Sequence, residues 1–372
     1  MATPTFLSCR HIFGASADLT NNISYIDENT IVYVAGQTIV LYYEKDKRQR
    51  FIHGPEVTDM ITAFAVGNGK RVCAVAERGD HPQIHVFDLR TFRRKKALVA
   101  SDTMVSKEFI ALAFSADDRF ILSISGAPDW KLTFWSWSKG QIIAETPISP
   151  AGNELYQCSF SPFDSNVVCI VGRDCVKFFR IVENEIRPLQ ECLLPDHNFL
   201  CHCWLREPDD HVLAGTDTGE IVLFRAGERL FSLDCSPRRS GPNRTPMPIT
   251  SLLPITGGFV VGSNPGNFMF FSVGAASDAT TDIRFGARNE HFERVHSVYT
   301  ELSRREVRMP RSQPSPLSAR SCHPACCVPP APASIRIAIV YLTLTPSFFF
   351  FFILRSSYVS HPFPSAPPPH PL

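Results

Sequence analysis

A short apolar segment that ends in an aromatic side chain recurs six times along the chain, and this repeat limits the possible folds more than any other feature. Its most regular copy is KLTFWSW, from Lys131 to Trp137. The recurring aromatic residues, called the slot aromatics below, are Tyr42, Phe87, Trp135, Phe179, Phe224 and Phe271. Consecutive members lie 44 to 48 positions apart. A period of roughly 40–50 residues is that of a four-stranded β-propeller blade.

The segments between the slot aromatics alternate apolar and polar residues and carry turn residues at short intervals, which favours antiparallel strands over helices. Glycines expected to supply positive φ in the hairpin before the third strand are Gly36, Gly126, Gly172, Gly219 and Gly266. We therefore predict an all-β fold, a WD-repeat β-propeller of about six recognisable four-stranded blades within residues 11–277. No seventh unit is recognisable after Val273, so we expect an incomplete ring.

The chain changes character after the last repeat. Residues 278–313 are polar and predict a loop or a short helix around 293–305. Residues 314–372 form a Pro/Phe-rich, low-complexity tail. Three interpretations of the tail stay open: a disordered segment, a membrane helix over Ile335–Leu354, or translated non-coding sequence, because Phe, Pro, Ser and Leu codons are rich in pyrimidines.

Composition excludes some classes of protein. Apolar residues make up 44% of the chain and charged residues 20%, which is enough to build a sizeable core. The formal net charge of +1 argues against a surface built as a whole for nucleic acid. The N-terminal segment lacks the features of a secretory signal, so we expect synthesis in the cytosol. Cysteines in the repeat strands are then expected to be small buried side chains without disulfides.

No catalytic or metal-binding pattern emerges from the sequence. Cys201, His202 and Cys203 suggest a metal site at first sight. In a strand, however, alternate side chains face opposite ways, so His202 points away from the two cysteines. Hydrolase, metalloprotease and phosphate-loop motifs are missing from the sequence. The prediction is a protein that is not an enzyme and that needs no cofactor or metal.

Several segments resemble the N-terminal WD-repeat region of the cilia- and flagella-associated WD-repeat protein 57 family. They are HIFG (11–14), NNISYIDENTIV (21–32), FIALAFSADDRFIL (109–122), YQCSFSP (156–162), VLAGTDTGEIVLFRAGE (212–228) and FERVHSVYTELSRREVRMP (292–310). The resemblance implies a non-enzymatic scaffold of the cilium or flagellum axoneme, located in the cytoplasm and cytoskeleton. Expected partners are proteins: tubulin, dynein regulatory components or inner dynein arm components. Nucleic acid, membrane and small-molecule partners are not expected. The alternative is a generic cytoplasmic WD-repeat adaptor of the vesicle-coat or ubiquitin-ligase type.

Two basic runs follow the third strands of the first and second units. Their residues are Lys45, Lys47, Arg48, Arg50, Arg90, Arg93, Arg94, Lys95 and Lys96. Because both runs begin three residues after a slot aromatic, they are expected at equivalent hairpins on neighbouring blades. Two interpretations stay open: solvated charged turns, or a patch that binds an acidic polymer such as the acidic tails of tubulin. RNA is a weaker candidate, because Phe92 is the one aromatic residue within the runs.

Overall fold

The computed structural model describes residues 10–14, 19–54, 60–149, 152–206, 210–235, 247–255, 258–264, 267–274, 283–284, 291–299, 336–340 and 351–355. These residues form strands joined by turns and loops, and no helix occurs among them. The predicted all-β fold is therefore confirmed. Within the parts of the chain that the structure describes, no helix has the length and apolar character needed to cross a bilayer.

The first three units each form a four-stranded antiparallel sheet in which consecutive strands are neighbours. The first sheet contains β1 (Ile23–Tyr25), β2 (Thr30–Ala35), β3 (Thr38–Tyr43) and β4 (Arg48–His53). The second contains β5 (Ile61–Val66), β6 (Val72–Glu77), β7 (Gln83–Asp88) and β8 (Arg94–Val99). The third contains β9 (Phe109–Phe114), β10 (Ile121–Ser125), β11 (Lys131–Ser136) and β12 (Gln141–Pro147).

The fourth and fifth units share one six-stranded sheet, so the six predicted units occupy five sheets. Its strands are β13 (Leu155–Phe160), β14 (Val167–Val182), β15 (Glu185–Trp204), β16 (His211–Thr216), β17 (Glu220–Arg225) and β18 (Glu228–Asp234). The first half of β15 pairs with β14, as in Glu185 with Val182. Its second half pairs with β16, as in Trp204 with Val212. The continuous strand β15 therefore joins the outer edge of one unit to the first strand of the next.

The sixth unit contains β19 (Ile249–Ile255), β20 (Gly258–Ser263), β21 (Asn267–Gly274), β22 (Ile283–Arg284) and β23 (His291–Tyr299). Strand β23 pairs antiparallel with β21, in the place of a fourth blade strand. The expectation of a loop or a short helix was therefore wrong over His291–Tyr299. A longer connection separates β23 from β21 than separates the third and fourth strands of the earlier units, so the repeat pattern did not reveal it.

The Pro/Phe-rich tail lies mostly outside the described residues. Its described parts are β24 (Arg336–Val340) and β25 (Phe351–Arg355), which pair antiparallel with each other. Strand β24 lies within Ile335–Leu354, the segment for which a membrane helix is one interpretation, and β25 extends one residue beyond it.

Neighbouring units pack face to face through separate apolar clusters, the arrangement of propeller blades. Five clusters lie between consecutive pairs of units, from the first and second to the fifth and sixth. The slot aromatics of units two to six each join the cluster shared with the preceding unit, as Trp135 and Phe179 do. Tyr42 instead packs against a sixth cluster, on the face of the first unit that is turned away from the second unit, where Ile12 also packs. The repeat therefore marks one position in the contact between blades.

Hydrogen bonds from the first strand of one unit to the first strand of the next support this packing. The Thr62 hydroxyl donates to the Phe109 carbonyl over 2.7 Å. In the fourth and fifth units the His202 backbone N–H donates to the Gln157 side chain over 2.8 Å. Bonds of this kind satisfy polar groups that the contact between units would otherwise bury unpaired.

Candidate interaction surface

The hairpin between β3 and β4 carries the first basic run. Lys45 and Lys47 lie in its turn, Arg48 and Arg50 lie on β4, and all four side chains are exposed. Lys47 has a φ of 51°, in the left-handed region that closes tight turns. Its carbonyl oxygen lies 3.0 Å from the His11 ring Nε2. The turn therefore holds its backbone in place and leaves its ammonium groups in solvent.

The hairpin between β7 and β8 carries the second run, and Asp88 organises its turn. The Asp88 carboxylate accepts the backbone N–H groups of Arg90 and Thr91 over 2.9 and 2.8 Å. It also forms an ion pair with Lys95 at 3.0 Å. The hydrogen bond from the Thr91 backbone is the largest cause that holds the pKa of Asp88 well below its usual range. This carboxylate therefore stays ionised and is occupied by groups of its own hairpin.

The remaining residues of the second run surround that turn. Arg90 and Arg93 lie in the turn, and Arg94, Lys95 and Lys96 lie on β8. Lys96 is partly buried, whereas the other four are exposed. The run is therefore mostly available to a partner.

A cation–π contact joins the two hairpins. The Arg50 guanidinium carbon on β4 lies 5.1 Å from the centre of the Phe92 ring, within the range of such interactions. Phe92 has a φ of 60°, a conformation that is uncommon for a bulky residue. The structure therefore brings the two runs, which are separated in sequence, onto one continuous surface.

A third hairpin, between β11 and β12, extends this surface. Gly140 lies in its turn with a φ of 74°, and a Cβ atom there would lie 2.5 Å from the Lys96 Cε. The Lys96 side chain thus passes directly over the third hairpin. Lys139 is exposed beside Gly140. We call Lys139 and the nine predicted cations together the basic rim.

Sequence reasoning missed Lys139 because its hairpin contains one cation and no basic run. Its offset of four residues from Trp135 could have revealed it, since Lys45 and Arg90 stand three residues after Tyr42 and Phe87. The corresponding hairpin of the fourth unit, between β14 and β15, carries Glu183 and Glu185. The basic rim therefore covers the first three units and stops there.

Most cations of the basic rim lack a carboxylate partner. Within the described part of the chain, Lys95 is the one member that forms an ion pair. Asp46, in the first hairpin, is the exposed acid within the rim. A surplus of positive charge therefore remains at the surface.

The structure places Cys201 and His202 on opposite faces of β15. The Cys201 thiol donates to the Ile249 carbonyl over 3.4 Å, toward the sixth unit. The His202 Nε2 lies 2.6 Å from the Ser159 hydroxyl, toward the fourth unit. Burial lowers the pKa of His202 to about 3 and raises that of Cys201 to about 12. Among the described residues, no group of three or more potential ligands could hold a metal ion.

Comparison with known proteins agrees with this architecture and adds an evolutionary relationship. No family model matches the chain. The mouse protein "Cilia- and flagella-associated protein 57" is 31% identical over 238 residues, which is 63% of this chain and 19% of that protein. The resemblance to the cilia- and flagella-associated protein 57 family is confirmed. The Tetrahymena thermophila protein "Cilia- and flagella-associated protein 57 C" is 29% identical over 48% of this chain and 14% of its own length. The chain thus spans about a fifth or less of the length of these relatives.

A solved structure supports the fold alone. A chain from "Crystal Structure of Mitotic Checkpoint Complex" superposes with a TM-score of 0.57 at 11% sequence identity. The match covers 80% of this chain and 98% of that chain. At this level of identity the similarity concerns architecture and carries no information on partners.

Proposed function

We propose that this chain is a non-enzymatic WD-repeat interaction scaffold of motile cilia and flagella. Its propeller fold and its similarity to the cilia- and flagella-associated protein 57 family support this assignment. The finer roles that we propose are docking on axonemal microtubules and a contribution to inner dynein arm assembly. The chain matches about a fifth or less of the length of the relatives that suggest these roles, so the roles are proposed for this chain from that similarity.

The observation that carries the docking role is the basic rim. Exposed cations on neighbouring hairpins create a positive field that attracts acidic surfaces and speeds their encounter. The acidic tails of tubulin carry the complementary charge. Dynein regulatory and inner-arm components are the further protein partners that we propose.

Microtubule co-sedimentation tests the docking role. We expect the double variant Arg93→Gln, Arg94→Gln to bind microtubules roughly 2- to 30-fold more weakly, since an exposed ion pair contributes about 0.2–1 kcal/mol. The matched control is Arg206→Gln, Arg225→Gln, which removes the same charge from exposed positions outside the basic rim. The loss should diminish as salt concentration rises, because screening weakens exposed charges first. Equal binding by both variants at low salt would contradict docking through the basic rim.

Localisation tests the ciliary assignment separately. The tagged full chain, expressed in a multiciliated cell, should be recovered with the axoneme after detergent extraction. A tag that stays diffuse in the cell body would favour the generic adaptor.

A further inference from the structure

The basic rim is an elongated surface that crosses three blades. Its hairpins contact one another in order, the first with the second through Arg50 and Phe92 and the second with the third through Lys96 and Gly140. The turns hold equivalent positions in successive repeat units, so their cations recur at blade spacing along one rim. Such a row of cations fits a ligand that extends across several hairpins better than a ligand that contacts one hairpin.

Asp46 is an exposed acid within the rim, but two other carboxylates at this end of the blades are engaged in bonds within the protein. Asp88 accepts two backbone N–H groups and pairs with Lys95. Asp118, in the inner turn of the third unit, accepts the backbone N–H groups of Asn68 and Gly69 over 2.6 and 2.7 Å. These carboxylates therefore already accept hydrogen bonds from the turns that they stabilise. The positive charge of the rim is left for an external acidic group.

The aromatic residues of the hairpins do not form a platform for nucleic acid bases. The Arg50 guanidinium covers a face of the Phe92 ring. Trp137, in the third hairpin, packs against the core and donates its Nε1–H to the Asp118 carbonyl over 2.6 Å. Binding of single strands relies on open aromatic faces on which bases stack. An acidic polypeptide, which needs only cations and space, fits the rim better than RNA.

The basic rim ends before the hairpin of the fourth unit. The exposed Glu183 stands where the cations of the first three hairpins stand, and its charge repels an acidic chain, whereas Glu185 beside it is paired with Arg187 over 2.8 Å. An acidic segment that lies across the first three hairpins would therefore leave the rim before the fourth unit.

We propose that the basic rim binds an extended acidic polypeptide segment that lies across three blades, with Lys139 as its contact on the third. The contact between Arg50 and Phe92 holds the first two hairpins side by side for this purpose. The proposal deepens the docking role of the proposed function and rests on it.

Fluorescence anisotropy with the full chain tests this proposal. The probes are a long glutamate-rich peptide, able to span three hairpins, a short peptide of the same charge density, and an RNA oligonucleotide with the charge of the long peptide. Lys139→Gln should weaken binding of the long peptide about 1.4- to 5-fold, the size expected for one exposed ion pair. Binding of the short peptide, which engages fewer hairpins at once, should change less. Because Lys139 is exposed, the variant should fold normally, and Arg225→Gln provides a control of equal charge at an exposed position outside the rim.

The outcomes separate this proposal from the docking role. If the wild-type chain binds the long peptide and Lys139→Gln has no effect, the three-blade surface is wrong and docking through the first two hairpins stands. If the wild-type chain binds neither peptide, both proposals fail. Tighter binding of the RNA than of the long peptide would overturn the assignment of a polypeptide ligand.

Discussion

The contact between Trp135 and Ser123 is the sharpest quantitative test of how the blades are held together. Ser123 lies on β10 and Trp135 on β11, and they are diagonal neighbours across the strand pair. The Trp135 Nε1–H donates to the Ser123 hydroxyl over 2.8 Å, and both side chains are at most 1% exposed. The indole also meets the Phe109 ring edge to face, with 6.4 Å between the ring centres. One side chain thus combines apolar packing with a buried hydrogen bond.

The expected loss of unfolding free energy depends on which polar group each substitution leaves without a hydrogen-bond partner. Ser123→Ala removes the acceptor and leaves the indole N–H buried without a partner, which costs about 1–3 kcal/mol. Trp135→Phe leaves the Ser123 hydroxyl without its donor and also opens a void, so it should cost at least as much. The double variant contains neither the indole N–H nor the serine hydroxyl, so this pair of substitutions leaves no buried polar group unpaired. Its free energy of unfolding should therefore exceed the value expected from adding the two losses by about 1–3 kcal/mol.

Urea unfolding of the wild type, both single variants and the double variant measures this coupling. The transitions should keep the same slope, so that shifts in midpoint report stability alone. The control cycle pairs Trp135→Phe with Thr216→Val in the fifth unit, and the two losses should add to within about 0.5 kcal/mol. Additivity of the Trp135 and Ser123 substitutions would refute the role of the hydrogen bond. Trp135→Ala, which removes the whole ring, should cost about 3–5 kcal/mol.

Three further predictions concern polar and thiol groups in the blades. The pKa of His202 is lowered to about 3 from 6.5, so the unfolded chain binds the extra proton and stability falls by roughly 1 kcal/mol per pH unit below about pH 6.5. The variant His202→Gln should show a correspondingly flatter loss of stability in urea titrations across that range, and an unchanged slope would contradict the assignment. Iodoacetamide should alkylate the partly exposed Cys192 before the buried Cys158 and Cys201, as followed by peptide mass spectrometry. Asp118→Ala should lower stability by about 1–3 kcal/mol in thermal or urea unfolding, and Asp118→Asn should lower it less, because the amide oxygen still accepts a hydrogen bond.

The repeat pattern predicted the architecture because the slot aromatic performs the same physical task in successive units. Phe87, Trp135 and Phe179 each fill the space toward the preceding blade. A constraint of this kind depends on side-chain size and on strand alternation, and both can be read from sequence. Tyr42 fits the pattern as well, although its neighbours are those of the outer face of the first unit.

Connections were less predictable than strands because several residues can satisfy the same backbone requirement. Gly36 and Gly219 adopt the positive φ expected of glycines before a third strand. In the third and fourth units, however, the positive φ belongs to Trp130 and Asp174. Gly172 serves a different need, because a Cβ atom there would collide with the Glu154 carbonyl oxygen. Composition indicates that a turn is present, whereas packing decides which residue carries the unusual conformation.

The candidate surface was predictable where charges cluster in sequence and obscure where they are assembled by the fold. The runs around Arg48 and Arg94 stand out because of their density. The contribution of Lys139 depends on the path of Lys96 over Gly140, a contact between blades that no local pattern encodes. The contact between Arg50 and Phe92 likewise depends on the side-by-side arrangement of two hairpins.

The unpaired charges of the basic rim affect the free protein as well as its complexes. Cations on contacting hairpins repel one another, and among the cations of the basic rim Lys95 alone has a carboxylate partner within the described residues. This repulsion lowers the stability of the free chain, whereas a bound acidic partner would relieve it. Salt screens both effects, over a Debye length of about 10 Å at 0.1 M ionic strength. Added salt should therefore raise the melting temperature of the free chain while it weakens the complex with an acidic peptide. If Arg93→Gln, Arg94→Gln removed neither response, the repulsion and the binding would have to arise from some other surface.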